Sequence, residues 1–312
     1  MLERGLISVG IDLAWGLASG RTGVAALDAN GAYVASATLR TDDEIVAWVE
    51  AAGAGDGLGV VAIDAPIVVP NLTGRRDCEQ EIHTHFGRFD AGAHSTNRSK
   101  PTMDPPRAET LVRRLGLTFD PSSHERSGLA IEVYPHPAMV GLWDLDLILK
   151  YKHKAKYAFE FRREQFLLLL DHLNGIESLQ LADAPRWSQI EEVVSVALTH
   201  GELNKVEDEV DGIVCAYLAW LWAERDARLR VFGDVHRGYI VAPHPPTHSA
   251  RPRSERVAPR RTVRFEESAD PNPTPITEPP GFALHGPSAQ WSLTPAEATA
   301  LECDLRRLRE RS

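Results

Sequence analysis

The amino-acid sequence predicts an α/β fold, and two observations support this prediction. Short apolar runs rich in Val, Ile and Ala, which are typical of buried strands, occur repeatedly before residue 66 and once more near residue 130. After residue 155, apolar residues instead recur three or four positions apart, which is the spacing of a helix. Strands followed by such helices indicate a sheet flanked by helices.

The predicted strands follow a definite order along the chain. Residues 6–14 form the first strand, and residues 22–39 form two more around Asn30 and Gly31, a dipeptide that favours a hairpin. A helix capped by Thr41 or Asp42 is then predicted to run to about Ala52. The run VVAIDAP at 60–66 predicts a fourth strand, and SGLAIEVY at 127–134 predicts a fifth that ends before proline.

The remaining chain divides into an insertion, a helical part and a tail. The polar stretch from about 70 to 125 predicts an insertion of short helices and loops. Helices are predicted over 155–175, 186–199 and 202–230, and GYIVAP at 238–243 predicts the last strand of a domain covering 1–243. Ten of the 21 prolines lie between 243 and 280, which predicts a disordered linker over 244–293. Residues 294–312 predict a short amphipathic helix able to bind a protein partner.

Composition narrows the functional classes. The formal net charge of -10 argues against a general nucleic-acid coat protein, whose affinity would come from excess Lys and Arg, but leaves a metal-dependent enzyme open. The three cysteines fit no zinc spacing or disulfide framework. No apolar stretch is long enough to span a membrane, and no cleavable signal precedes the first strand. We therefore expect a soluble, cytoplasmic protein.

Several acidic residues occupy positions where a carboxylate is expensive to bury. Asp12, Asp64 and Glu132 lie in or at the end of apolar strands, and Asp208 and Asp211 share one face of a later helix. If that helix packs across the strand ends, the acids converge, and their repulsion requires a cation. Oxygen ligands suit Mg²⁺ or Mn²⁺, so Asp12, Asp64, Asp208 and Asp211 are candidate metal ligands, and all five acids are candidate catalytic residues. Two such ions can activate water and stabilise the leaving oxygen in phosphodiester hydrolysis.

Each acid taken alone also has a structural interpretation. An Asp at a strand end caps a turn or helix, and Glu132 can form an ordinary ion pair. Acids in the first turns of a helix are favoured by the helix dipole. The metal hypothesis therefore depends on the order of the acids along the chain: first strand, fourth strand and late helix.

That order, with GIDLAW at 10–15, IDAP at 63–66 and EDEVDGIVCAYLAW at 207–220, resembles the RNase H-like superfamily. More narrowly, GAHSTN at 92–97, IEVYPHPA at 131–138 and the Tyr151-Lys152 pair make residues 6–243 similar to domain of unknown function 429 (DUF429), a family described as predicted RNase H-like nucleases. The resemblance implies a mixed five-stranded sheet of order 3-2-1-4-5 flanked by helices. It also implies that the superfamily's strand acids correspond to Asp12 and Asp64 and its helix acids to Asp208 and Asp211. Glu132 fits the family's strand motif.

Candidate substrate contacts lie in two regions. Residues 150–163 hold six Lys or Arg with interleaved aromatics, a pattern typical of a phosphate track that stacks bases and equally of a solvated helix edge. The polar insertion offers further donors, and Trp15 can stack on a base or cover the core. The candidates for substrate binding are Trp15, Arg75, Arg76, His94, Asn97, Tyr151 and Lys152.

The sequence thus predicts a metal-dependent nuclease or phosphodiesterase that hydrolyses nucleic acid. Two alternatives stay open. GIDLAWGLASGRTGVAAL also resembles the first phosphate hairpin of actin-like phosphotransferases, although the sequence offers no second phosphate loop. The chain can also be a catalytically inactive scaffold with an RNase H-like fold.

Overall fold

The computed structural model describes residues 5–16, 20–123 and 125–252, and a five-stranded sheet lies at its centre. The strand order is β3-β2-β1-β4-β5, with β1, β2 and β3 antiparallel and β1, β4 and β5 parallel. The predicted mixed sheet and its strand order are therefore confirmed. The strands are β1 Ile7–Asp12, β2 Thr22–Leu27, β3 Tyr33–Leu39, β4 Leu58–Ile63 and β5 Leu129–Glu132.

Helices cover both faces of this sheet. Helix α1 begins as predicted after Thr41, whose side chain and that of Glu44 form a capping box. Its apolar face packs with α3 on one face of the sheet, while α5, α6 and α8 form a second core on the other. The helices are α1 Asp42–Ala52, α2 Asp77–Phe86, α3 Arg107–Arg114, α4 Pro135–Leu142, α5 Phe159–Asn174, α6 Pro185–Val196, α7 His200–Leu203 and α8 Glu207–Ala223.

One predicted helix is shorter than expected. Helix α8 ends at Ala223, before the predicted end at residue 230, and the strand β6, Leu229–Asp234, which was not predicted, overlaps only the last two residues of the predicted helix. Arg225 adopts a left-handed φ of 55°, and the amide of Asp226 donates to the carbonyl of Leu221, which closes the helix without the glycine that commonly marks such an end. Strand β6 pairs with the predicted last strand, β7 Gly238–Pro243, in a two-stranded antiparallel sheet.

The insertion between residues 70 and 125 is built into the cores. Helix α2 packs on β6 and β7, and α3 packs on α1. The prediction of short helices and loops there is confirmed. The predicted helix over 294–312, and all but residues 244–252 of the predicted linker, lie outside the described residues.

Helix α8 lies unusually close to the sheet because three glycines allow backbone contact. A Cβ added to Gly23 on β2 would lie 1.7 Å from the carbonyl oxygen of Asp208, and one added to Gly10 on β1 would lie 2.0 Å from the amide nitrogen of Ala216. Gly212 faces the Gly23 backbone from the helix side. This contact brings the acidic first turns of α8 to the carboxyl end of β1.

No helix in the described part of the chain is long and apolar enough to cross a membrane.

Candidate functional site

Two strand ends supply the first two acids of the site. Asp12 is the last residue of β1, and Asp64 directly follows β4, where its amide donates to the carbonyl of Ile11 at 2.8 Å. Because β1 and β4 are parallel neighbours, their carboxyl ends share one sheet edge. The two carboxyl groups are close enough for each to affect the pKa of the other.

Lys152 connects these strand acids to helix α8. Its Nζ lies 2.5 Å from Asp211 Oδ2 and 3.8 Å from Asp12 Oδ2. Asp12 and Asp211 therefore lie on the same side of the sheet, as the metal hypothesis requires. Asp208, three residues before Asp211, completes a group that we call the acidic cluster: Asp12, Asp64, Asp208 and Asp211.

Burial and repulsion between carboxylates raise the pKa values of Asp12, Asp64 and Asp208. The pKa of Asp12 is raised well above 3.8 chiefly by burial; Lys152 opposes this increase, and Asp211, Asp64 and Asp208 add to it. The pKa of Asp64 is raised to about 7, and that of Asp208 to about 6, in both cases chiefly by burial. Burial alone would lower the pKa of Lys152, yet Asp12 and Asp211 raise it well above 10.5. The protonated forms of Asp12, Asp64 and Asp208 are thus favoured, while Lys152 stays an ammonium.

Asp211 is held by two consecutive residues of one loop. The Tyr151 hydroxyl donates to Asp211 Oδ1 at 2.5 Å, and Lys152 contacts Oδ2. Oδ2 accepts no hydrogen bond of suitable geometry in the described part of the chain, so its contact with Lys152 is purely ionic. The loop is fixed in turn by buried Arg162, which donates to the carbonyl of Tyr151 and pairs with Glu207.

The acidic cluster offers the oxygen donors that a hard divalent cation prefers, but its side chains are not arranged as a complete metal site. Among the described residues, no three Asp, Glu, His or Cys side chains converge closely enough to hold a metal ion. Buried carboxylates with raised pKa values are nevertheless oxygen donors that a cation would stabilise. Asp12 and Asp64 fit such an ion. Asp211, a predicted ligand, instead has both oxygens in contact with Tyr151 and Lys152.

Glu132 lies beside Asp64 but belongs to a separate ion-pair network. Arg76 donates to Glu132 Oε2 at 2.9 Å and to Oε1 at 2.6 Å, and the amide of Ile67 donates to Oε2 at 2.9 Å. Arg76 also pairs with Glu79 at 2.8 Å, and all three ionic side chains are buried. The geometry therefore favours the ion-pair interpretation of Glu132 and gives the predicted substrate residue Arg76 a structural role.

The predicted substrate contacts separate into two groups. Trp15, which is 37% exposed, and His94 line a cleft that reaches Asp64, with Tyr134 on its wall, so these positions can meet a ligand. Arg75 is exposed and hydrogen-bonded to Gln80. The others are occupied internally: Asn97 donates to the carbonyl of Gly74 and accepts from Ser99, Tyr151 is fully buried, and Lys152 pairs within the cluster.

Some residues that build the site were not singled out from the sequence. Gly10, Gly23 and Gly212 permit the approach of α8, and glycines inside apolar strand or helix runs are a sequence sign of close backbone contact. Arg162 was counted only as one of six cations, and nothing in its local sequence distinguishes it.

The family model described as "Protein of unknown function (DUF429)" matches residues 10–237. The chain belongs to the DUF429 family. No curated protein and no solved structure shows a match. The expected family is confirmed, and the match carries no stated activity.

Proposed function

We propose that this DUF429 protein is a metal-dependent nuclease or phosphodiesterase of the RNase H-like type. The observation that carries the proposal is the position of Asp12 and Asp64 at neighbouring ends of β1 and β4, with Asp211 linked to Asp12 by the Lys152 ammonium, beside a cleft lined by Asp64. Carboxyl groups whose pKa values are raised, such as those of Asp12 and Asp64, are concentrated at functional sites, and a bound cation would offset their repulsion. We further propose that the protein acts in the cytoplasm, with nucleic acid as its partner.

Asp12 and Asp64 would hold Mg²⁺ or Mn²⁺. When bound, such an ion would lower the pKa of a water molecule and stabilise the negative charge on the phosphate. Asp208, whose pKa is about 6 and whose side chain is 26% exposed, can accept or release a proton at neutral pH. Trp15 and His94 would bind the substrate from the cleft.

The basic segment over 150–163 contributes fewer free cations than its sequence suggests. Arg162 is buried, and Lys150 pairs with Asp90 at 2.6 Å. Lys154 and Lys156 are exposed in the loop that follows Lys152, and they are the cations we expect to attract phosphate.

The test is cleavage of single-stranded, duplex, hybrid and branched DNA and RNA with Mg²⁺ or Mn²⁺. We expect Asp12→Asn and Asp64→Asn to abolish cleavage while circular dichroism stays unchanged. Asp43→Asn is a matched control, because that carboxylate is 89% exposed and lies on α1. A substrate panel that survives intact with wild-type protein would refute the nuclease, and absence of thermal stabilisation by Mn²⁺ would then favour a scaffold.

A further inference from the structure

The ion pairs around the acidic cluster leave a specific charge uncompensated. Glu207 pairs with Arg162, and Asp208 lies 3.7 Å from Arg21. Asp211 pairs with Lys152. Among the described residues, no side-chain cation lies within ion-pair distance of Asp64. Asp12 has only a long ion pair, in which its Oδ2 lies 3.8 Å from Lys152 Nζ. When both are ionised, Asp12 and Asp64 therefore carry the two negative charges that one divalent ion would neutralise.

Both carboxylate oxygens of Asp211 already have a partner, so Asp211 is a poor ligand for a second metal ion. The Tyr151 hydroxyl takes one of its oxygens and the Lys152 ammonium contacts the other. Tyr151 is fully buried, and its carbonyl accepts from Arg162, so the backbone that carries Lys152 is anchored. A second dication at Asp211 would have to displace the Lys152 ammonium from Oδ2.

We propose that the acidic cluster binds one divalent cation through Asp12 and Asp64, and that the Lys152 ammonium supplies the second positive charge of the site. The proposal rests on the proposed function in assuming that a divalent ion binds, and it makes Lys152 a positioning cation instead of the substrate contact that its sequence suggests. Replacing Lys152 by an uncharged side chain would then open Asp211 to a second ion, because the carboxylate would lose its resident cation.

The experiment counts Mn²⁺ ions by calorimetry and by electron paramagnetic resonance in the full-length protein without nucleic acid. We expect one ion in wild type and in Lys152→Arg, which keeps the charge. Lys152→Met should bind two ions and give the spectrum of a coupled manganese pair. Lys205→Met, which removes an exposed lysine near the start of α8, should bind one. Asp12→Asn should weaken binding by about tenfold or more.

The outcomes separate this inference from the nuclease proposal. Two ions in wild type, or one ion in a folded Lys152→Met with unchanged affinity, would overturn the inference even if nucleic acid is cleaved. One ion in wild type and two in Lys152→Met would support it even if no substrate is cleaved. If Lys152→Met fails to fold, the wild-type and Lys152→Arg counts still decide, because two ions in either would overturn it. No binding at all would overturn both proposals.

Discussion

Removal of the Glu132 carboxylate should cost folding free energy, and this distinguishes an ion-pair role from a catalytic one. In Glu132→Gln, the Arg76 guanidinium stays buried but loses its bidentate partner and keeps only Glu79 and the carbonyl of Val68. The side-chain NH₂ of Gln is itself a donor, and it would face the donor groups that now bind the Glu132 carboxylate. Breaking one partner of a buried pair costs about 3 to 5 kcal/mol, since an uncompensated charge remains.

That cost is a large part of the total stability of a domain. We expect the free energy of unfolding to fall by about 3 kcal/mol, at the lower end of that range because Glu79 still contacts Arg76 at 2.8 Å. For a domain of this size the melting temperature should then fall by roughly 10 °C. A folded protein should remain at 25 °C, because natural domains have about 5 to 15 kcal/mol of stability.

Urea unfolding, followed by tryptophan fluorescence and circular dichroism, measures this change. Glu109→Gln is the matched control, because its close partner Arg113 is 74% exposed, its contact with part-exposed Arg98 is 3.8 Å long, and such pairs contribute about 1 kcal/mol or less. Activity is then normalised to the folded fraction. If Glu132→Gln unfolds like wild type yet loses cleavage, Glu132 acts in the chemistry and the assignment from the ion pairs is wrong.

Three further outcomes follow from the same geometry. Gly23→Ala should displace α8, because the new Cβ would meet the Asp208 carbonyl. It should lower the free energy of unfolding in urea by about 1 to 3 kcal/mol or more, and it should weaken Mn²⁺ binding. Gly175→Ala is the control, because its new Cβ has only ordinary contacts and should change neither quantity. Metal-free protein should lose thermal stability as pH rises from about 4 to 7. The pKa of Asp64 is raised from 3.8 to about 7 in the folded state, so folding favours its protonated form. Asp64→Asn should make the melting temperature depend less on pH, and an unchanged dependence would contradict the raised pKa. Tyr151→Phe should cost about 1 to 3 kcal/mol in urea unfolding by leaving Asp211 Oδ1 without its donor, and a stability equal to wild type would show that the hydrogen bond is dispensable.

Local chemistry was sufficient to predict the strands and the strand acids, whereas the order of the strands in the sheet came from the family resemblance. The hairpin at Asn30 and Gly31, the cap at Thr41 and the placement of Asp12 and Asp64 at strand ends all follow from short segments of sequence. Strand β6 was not predicted, because the predicted helix ran to residue 230, and a left-handed Arg225, not glycine, closes α8.

The roles of the cations depend on tertiary contacts that sequence spacing does not specify. Lys152 and Lys154 lie two residues apart in one basic segment, yet Lys152 faces the acidic cluster and Lys154 faces solvent. Likewise, Arg75 and Arg76 are neighbours, but one is exposed and the other pairs with two buried acids. The direction of Lys152 depends on how its loop packs on α5 and α8, and that of Arg76 depends on the position of Glu132 at the end of β5. Neither arrangement follows from a motif of a few residues.

The free-energy cost of burying Asp12 and Asp64 links the packing of α8 to the proposed metal binding. Gly10 and Gly23 allow the backbone of α8 to touch β1 and β2, so the helix lies over the end of β1 that carries Asp12. Burial raises the pKa values of Asp12 and Asp64, so their ionised forms oppose folding near neutral pH. A bound dication would remove that opposition, and the free energy released on neutralisation would strengthen its binding. The glycines that bring α8 onto the sheet would therefore set metal affinity without contacting the metal.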